Sequence, residues 1–208
     1  MGGSRARVAI LATEGVERIE LEQPRDALRK AGYDAVLVSD RRDEVPTFDH
    51  LDRATTEQVD RDLSSTIPEE FDALMLPGGV ANPDRLRRDA RAVAFVRHFF
   101  DADKPVAAIC HAPWLILEAG AARGRSLTSW PSLRTDLLNA GASWDDREVV
   151  RDGNLVTSRG PDDLPAFCRA MLELFDLQPS AQRSSLDDAL EDSYPASDPV
   201  SSGPSTPG

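Results

Sequence analysis

Short runs of consecutive apolar residues, each closed by a glycine, a proline or a polar turn, alternate along this chain with stretches of helical period. The first run, 7–13 (Arg-Val-Ala-Ile-Leu-Ala-Thr), has the length and continuity of a strand buried on both faces. A helical pattern through Leu21, Ala27, Leu28 and Ala31 follows and stops at Gly32. Pro24 is tolerated cheaply only in a first turn, so this helix either starts near residues 21–23 or starts earlier and is kinked. In both cases Glu17 and Glu20 lie at the strand-to-helix junction. Further strands are expected at 34–39, 71–76 and 105–109, the last ending abruptly at Cys110-His111. A helix over 83–100 is expected, capped by Asn82 with Pro83 at its first position.

Beyond the cysteine, Leu115, Ile116 and Leu117 begin a helix that ends at Gly120, and a helix near 131–139 stops at Gly141. Asp152-Gly153 joins 148–151 to 154–157 as a hairpin. The last helix spans 161–175. Between 40 and 68 the pattern dissolves into polar and acidic residues, where only short strands or a hairpin fit.

Strands alternating with helices over short connections predict an α/β fold with a mostly parallel sheet covered on both faces. Ligands of such sheets bind outside the carboxyl ends of the strands. Three features fall there: the Glu17/Glu20 segment, the Pro77-Gly78-Gly79 turn and Cys110-His111. One domain over 1–176 is expected. The remainder, 177–208, is rich in Ser, Pro and Asp without apolar period and is expected to be disordered.

Composition narrows the partners. The 208 residues carry a formal net charge of −12, which argues against nucleic acid or an anionic membrane. Only two of the 24 basic residues are lysines, Lys30 and Lys104, a bias that suits a salt-adapted or high-GC source as well as an ordinary acidic protein. No apolar run approaches the roughly 20 residues a membrane span needs, and the chain enters its first strand at once, so a cytoplasmic protein is expected. Two cysteines make no disulfide framework. Cys168 falls on the stripe Leu164, Phe167, Cys168, Met171, Leu172, Phe175 and reads as a core thiol. His50 and His98 lack metal-ligand spacing, so no metal site is expected.

The remaining chemistry gathers at Cys110. A thiol where a buried strand turns into a helix lies near unpaired N–H groups and the positive end of the macrodipole, which favour the thiolate. The competing reading is a core cysteine at a strand end. His111 is a polar neighbour that acts either through its ring or through its backbone N–H. Gly78-Gly79 lets an N–H approach a developing oxyanion. Glu20 could accept the thiol proton or, if protonated, donate to the thiolate. Glu20 and Asp84 also fit an ordinary acid near a helix start.

Taken together, the motifs resemble the PfpI intracellular-protease family, whose relatives include the Parkinsonism-associated deglycases. The landmarks are Glu17-Arg18-Ile19-Glu20, Pro77-Gly78-Gly79, Pro105 through His111, Ser129-Trp130-Pro131, Asn139-Ala140-Gly141 and Ser158-Arg159. The resemblance implies a flavodoxin-like three-layer sandwich, related to class I glutamine amidotransferases, with a nucleophile elbow and no cofactor. It implies Cys110 as nucleophile, Glu20 as the carboxyl bonded to it, and His111 in a Cys-His-acid arrangement completed by Asp84 of a neighbouring subunit. It also implies oxyanion N–H groups from Gly79 and His111, and a substrate pocket including Glu17 and Trp130. A homodimer or higher oligomer acting on a small carbonyl or a peptide follows. Ala112 and Asp84 depart from the Gly and Glu commoner at their positions. A non-enzymatic alternative is redox sensing by oxidation of Cys110. A glutaminase would need a His–acid pair late in the chain, and no histidine follows His111.

Overall fold

The computed structural model describes residues 6–176; the tail expected at 177–208 lies outside the described residues. The first half contains β1 (Arg7–Leu11), β2 (Val16–Glu17), α1 (Arg18–Lys30), β3 (Asp34–Ser39), β4 (Glu44–Asp49), β5 (Asp52–Gln58), β6 (Arg61–Asp62) and β7 (Ala73–Leu76). Then come α2 (Ala81–Leu86), α3 (Ala90–Asp101), β8 (Val106–Ile109), α4 (Pro113–Glu118) and β9 (Ser126–Leu127). The described residues close with α5 (Arg134–Asn139), β10 (Ser143–Trp144), β11 (Val149–Asp152), β12 (Leu155–Ser158) and α6 (Leu164–Phe175).

Seven strands form the main sheet in the order β11-β12-β8-β7-β1-β3-β6. Every neighbouring pair is parallel except the β11–β12 hairpin, whose turn is the Asp152-Gly153 signal. The continuous apolar runs alternate strictly between the faces. Ala9, Leu11, Leu74, Leu76, Val106 and Ala108 pack with Val96 and Phe99 of α3 and Leu115 of α4. Val8, Ile10, Ala73, Met75, Ala107 and Ile109 pack with Leu21 and Leu28 of α1 and with Phe167 and Met171 of α6. These two cores make the three-layer sandwich, and Cys168 sits fully buried in the second, as its stripe predicts.

From β1 the chain moves to β3 and β6 on one side, then to β7, β8 and β12 on the other. The strand order therefore reverses between β1 and β7, and a crevice opens at the carboxyl ends there. The loops after β1, β7 and β8 all border it.

Two expectations are corrected, and the open choice over the start of α1 is decided for the earlier one. The helix expected over 83–100 is two helices, broken before Asp89, whose side chain accepts from the Arg91 N–H and caps α3. Asn82 is not a cap; it lies inside α2, fully buried. α1 starts at Arg18, so Pro24 is inside it, where the ring leaves the Glu20 carbonyl without its usual helical N–H partner. The 40–68 segment forms the β4–β5 hairpin, joined to β2 in a small second sheet, together with the short strand β6. Its polar outer strand explains the missing apolar signal. No helix among the described residues is long and apolar enough to cross a membrane.

Packing makes a ranked prediction. Phe167→Ala, in the α6 core, is expected to cost about 3–5 kcal/mol of unfolding free energy. Tyr33→Phe removes the hydroxyl bond to the Phe175 carbonyl (2.8 Å) and is expected to cost about 1 kcal/mol. Urea unfolding of the two variants against wild type checks the order.

Candidate active site

Cys110 is the first residue beyond β8, and its backbone has φ +62°, a left-handed conformation that costs a side-chain-bearing residue about 1–3 kcal/mol. Bonds from both neighbours hold it there. The Cys110 N–H donates to the Ser158 carbonyl of β12 (3.0 Å), and its carbonyl accepts from the Trp130 N–H (2.9 Å). The strand thus ends in a strained elbow that turns the thiol into the crevice. Only a small fraction of Cys110 remains accessible.

Glu20 reaches the thiol from α1. Its Oε2 accepts from the Gly78 N–H (3.0 Å), and its carboxyl interacts with the Cys110 side chain. Gly78 is required by this approach: a Cβ there would lie 2.5 Å from both Cys110 Cβ and Glu20 Oε2. Gly79, with φ +80°, turns its N–H toward the sulfur and the Glu20 carboxyl. Three loops, after β1, β7 and β8, therefore converge on one sulfur.

The electrostatics reverse one expectation. The thiol is pushed up from its ordinary range, first by burial and then by the charge of Glu20, while the N–H groups of Gly79 and His111 pull it down. The helix that follows is a single short element, α4, and does not offset the burial. Glu20 is raised to about 8, again chiefly by burial, with the nearby Glu17 adding to the rise and Gly78 opposing it. At neutral pH the carboxyl therefore holds its proton, and its O–H is available to the sulfur.

His111 Nδ1 lies 3.1 Å from the sulfur. Burial lowers the ring to about 4, so it is neutral near pH 7. In the tautomer protonated at Nε2, the thiol donates to Nδ1, and Nε2 faces Ser132 Oγ at 3.5 Å. The ring stacks on Trp130 (centroids 5.7 Å, 24°) and meets Trp114 at a tilt (5.3 Å).

The other expected residues divide. Trp130, 42% exposed, stacks on the His111 ring and donates its backbone N–H to the Cys110 carbonyl. Glu17 is buried, and its Oε2 accepts from the His50 N–H (2.9 Å). Asp84 is exposed on α2, and among the described residues no hydrogen bond or ion pair joins it to His111. No group of three metal-ligating side chains occurs among the described residues.

Two contributions escaped the sequence reading. Trp114 packs on the His111 ring, where its place in the α4 helix suggests only a core residue. Asn82 is the larger omission. Its Oδ1 accepts from the Thr13 N–H (2.8 Å), and its Nδ2 donates to the carbonyls of Pro77 (2.9 Å) and Gly78 (3.0 Å). An asparagine before a proline reads as a cap, and only the three-dimensional packing reveals its burial.

The chain is similar to known proteins over most of its length. The profile of the DJ-1/PfpI family matches residues 6–174. The chain is 43% identical over 169 residues to protein/nucleic acid deglycase 2 of Escherichia coli, covering 81% of this chain and 96% of that protein. It is 40% identical over 168 residues to deglycase PfpI of Pyrococcus furiosus, covering 81% and 98%. Among solved structures, Drosophila melanogaster DJ-1beta superposes with a TM-score of 0.79 at 28% identity, covering 91% of this chain and 97% of that one.

The raised Glu20 carboxyl makes a stability prediction with a definite sign. Between the unfolded value and about 8 the folded protein holds a proton that the unfolded chain has released, so stability falls as pH rises. His111, lowered to about 4, acts in the opposite sense below 6.5, so the window 6.5–8 isolates Glu20. Wild type is expected to lose roughly 2 kcal/mol across that window, at about 1.4 kcal/mol per pH unit, and Glu20→Gln to stay flat. Denaturant midpoints measured at half-unit pH steps check it.

Proposed function

The chain belongs to the DJ-1/PfpI family, and from that premise we propose that it is a cysteine enzyme that attacks the carbonyl carbon of reactive aldehydes, ketones or their adducts on larger molecules. The observation that carries the reading is the convergence of Glu20, Gly78-Gly79 and the strained Cys110 on one buried sulfur.

The chemistry starts with loss of one proton from the Glu20–Cys110 pair. The negative charge that results is shared, and in the reactive arrangement Glu20 keeps the proton and donates to the thiolate. The sulfur then forms a C–S bond while the carbonyl π pair moves onto oxygen. The N–H groups of Gly79 and His111, which act on the sulfur, are the backbone donors assigned to that charge. The alkoxide is neutralised by the proton Glu20 held, giving a hemithioacetal and a carboxylate. His111 supports both states: its Nδ1 accepts from the thiol, or, protonated there, donates to the thiolate.

Peptide cleavage is the weaker reading. It needs an acid that protonates a departing amine, and His111 is a buried neutral ring with no carboxylate partner within the described chain. Asp84 could serve only from a second copy. A carbonyl adduct makes no such demand in the attacking step. The names of the Escherichia coli and Pyrococcus furiosus relatives, both deglycases, support the same choice.

Loss of methylglyoxal and cleavage of an unactivated peptide should be measured side by side. Cys110→Ser is expected to bring carbonyl turnover to background, and Glu20→Gln to reduce kcat/KM about 10²-fold. Wild-type kcat/KM should rise with pH through a midpoint near 8, and that midpoint should vanish in Glu20→Gln. Carbonyl turnover equal in wild type and Cys110→Ser would remove the nucleophile and the proposal with it.

A further inference from the structure

We propose that Asn82 is the positioning residue of this site, its single carboxamide aiming both glycine N–H donors at the Glu20–Cys110 pair. The inference rests on the proposed thiolate chemistry and adds a group to it.

The argument is one of peptide geometry. In a trans peptide the C=O of one residue and the N–H of the next lie in one plane and point in opposite directions. The Pro77 carbonyl shares its plane with the Gly78 N–H, and the Gly78 carbonyl shares its plane with the Gly79 N–H. Asn82 Nδ2 binds both carbonyls, at 2.9 and 3.0 Å. Their opposite ends are therefore turned the other way, the Gly78 N–H onto Glu20 Oε2 at 3.0 Å and the Gly79 N–H toward the sulfur.

A glycine pair cannot fix these planes by itself, since it is the most freely rotating pair a chain can contain. Gly78 must nonetheless be glycine, because any Cβ would strike Cys110 and Glu20. The close approach of the three groups thus places a turn without side-chain restraint here, and its far side is held by Asn82 together with a longer bond from the Glu17 N–H to the Gly78 carbonyl (3.4 Å). Asn82 is fully buried in α2, so its carboxamide has no competing water. Its third bond, from the Thr13 N–H at 2.8 Å, ties the same amide to the loop that leads from β1 toward Glu17 and Glu20. Asn82 therefore makes the shorter bonds that join two of the three converging segments, beside the longer Glu17 N–H to Gly78 carbonyl bond.

The chemistry of an amide is specific here. The position needs one acceptor and two donor hydrogens, which asparagine supplies in full. Alanine supplies neither. Serine offers a single hydroxyl donor.

The test compares Asn82→Ala and Asn82→Ser with wild type and with Tyr33→Phe, a buried bond lost far from the crevice. Alkylation of Cys110 by iodoacetamide is followed against pH by mass spectrometry, with the fully buried Cys168 as an internal report on unfolding. Methylglyoxal turnover is measured on the same samples.

Asn82→Ala is expected to leave Cys168 unlabelled, to move the Cys110 alkylation midpoint to higher pH, and to lower kcat about 10²-fold with KM changed less than about threefold. Asn82→Ser should fall between wild type and Asn82→Ala in both readouts, and Tyr33→Phe should match wild type. If Asn82→Ala labels Cys168, the serine variant decides by the same two readouts. A folded variant with a wild-type alkylation profile and wild-type kcat overturns the role of Asn82 while leaving Cys110 as nucleophile. The alkylation profile reads Asn82 even if methylglyoxal is not turned over, so the two proposals fail separately.

Discussion

Burial at the carboxyl ends of β1, β7 and β8 disfavours a negative charge on Glu20 and Cys110 at the same time, and the local backbone is organised around that constraint. Glu20 is raised to about 8 and the Cys110 thiol is raised as well, both chiefly by burial. Two anions side by side would each meet an uncompensated desolvation cost. A shared proton resolves the conflict. It leaves the sulfur able to carry the charge while the carboxyl keeps the hydrogen. Glu17, buried close by, reinforces the constraint because its charge opposes ionisation of Glu20.

This electrostatic arrangement requires a mechanical one. A left-handed cysteine is unfavourable alone, and the sheet supplies what holds it: a bond to β12 on one side and a bond from the Trp130 loop on the other. The parallel register then matters for chemistry. Leu76 of β7 lies opposite Ala108 of β8, so the Gly78-Gly79 turn emerges beside Cys110. Sliding β7 by one residue would invert its faces and carry the turn away from the sulfur.

Much of this was legible in the sequence because burial on both faces leaves a strong trace. The runs 34–39 and 105–109 could be little other than central strands, and the Cys-His pair ending one of them marked the crevice. The hairpin was equally plain from Asp152-Gly153. Other features left no trace because they depend on distant partners. The β5 strand is exposed and polar, so no apolar alternation announced it. The break between α2 and α3 lies in a segment whose composition suits one helix, and Asp89 acts as a cap only because the chain turns there. Asn82 resembled a surface cap by its place before Pro83, and its burial depends on loops 69 residues earlier in the chain.

Glu20 shows how burial decides between the two protonation states that the sequence leaves open. It lies in the first turn of α1, where the macrodipole favours a carboxylate by at most about 2 kcal/mol. Its rise from 4.5 to about 8 corresponds to about 5 kcal/mol against the charged form. Burial therefore exceeds the dipole by a factor of two or more, even with the Gly78 N–H donating to the carboxyl. The same comparison holds for Cys110, where the six-residue α4 offers a weak field and the surrounding core a strong one. A helix start predicts an ionised acid or thiol when it faces water. Under a packed sheet edge it supplies only oriented N–H groups, and the protonation state follows from what those groups leave uncompensated.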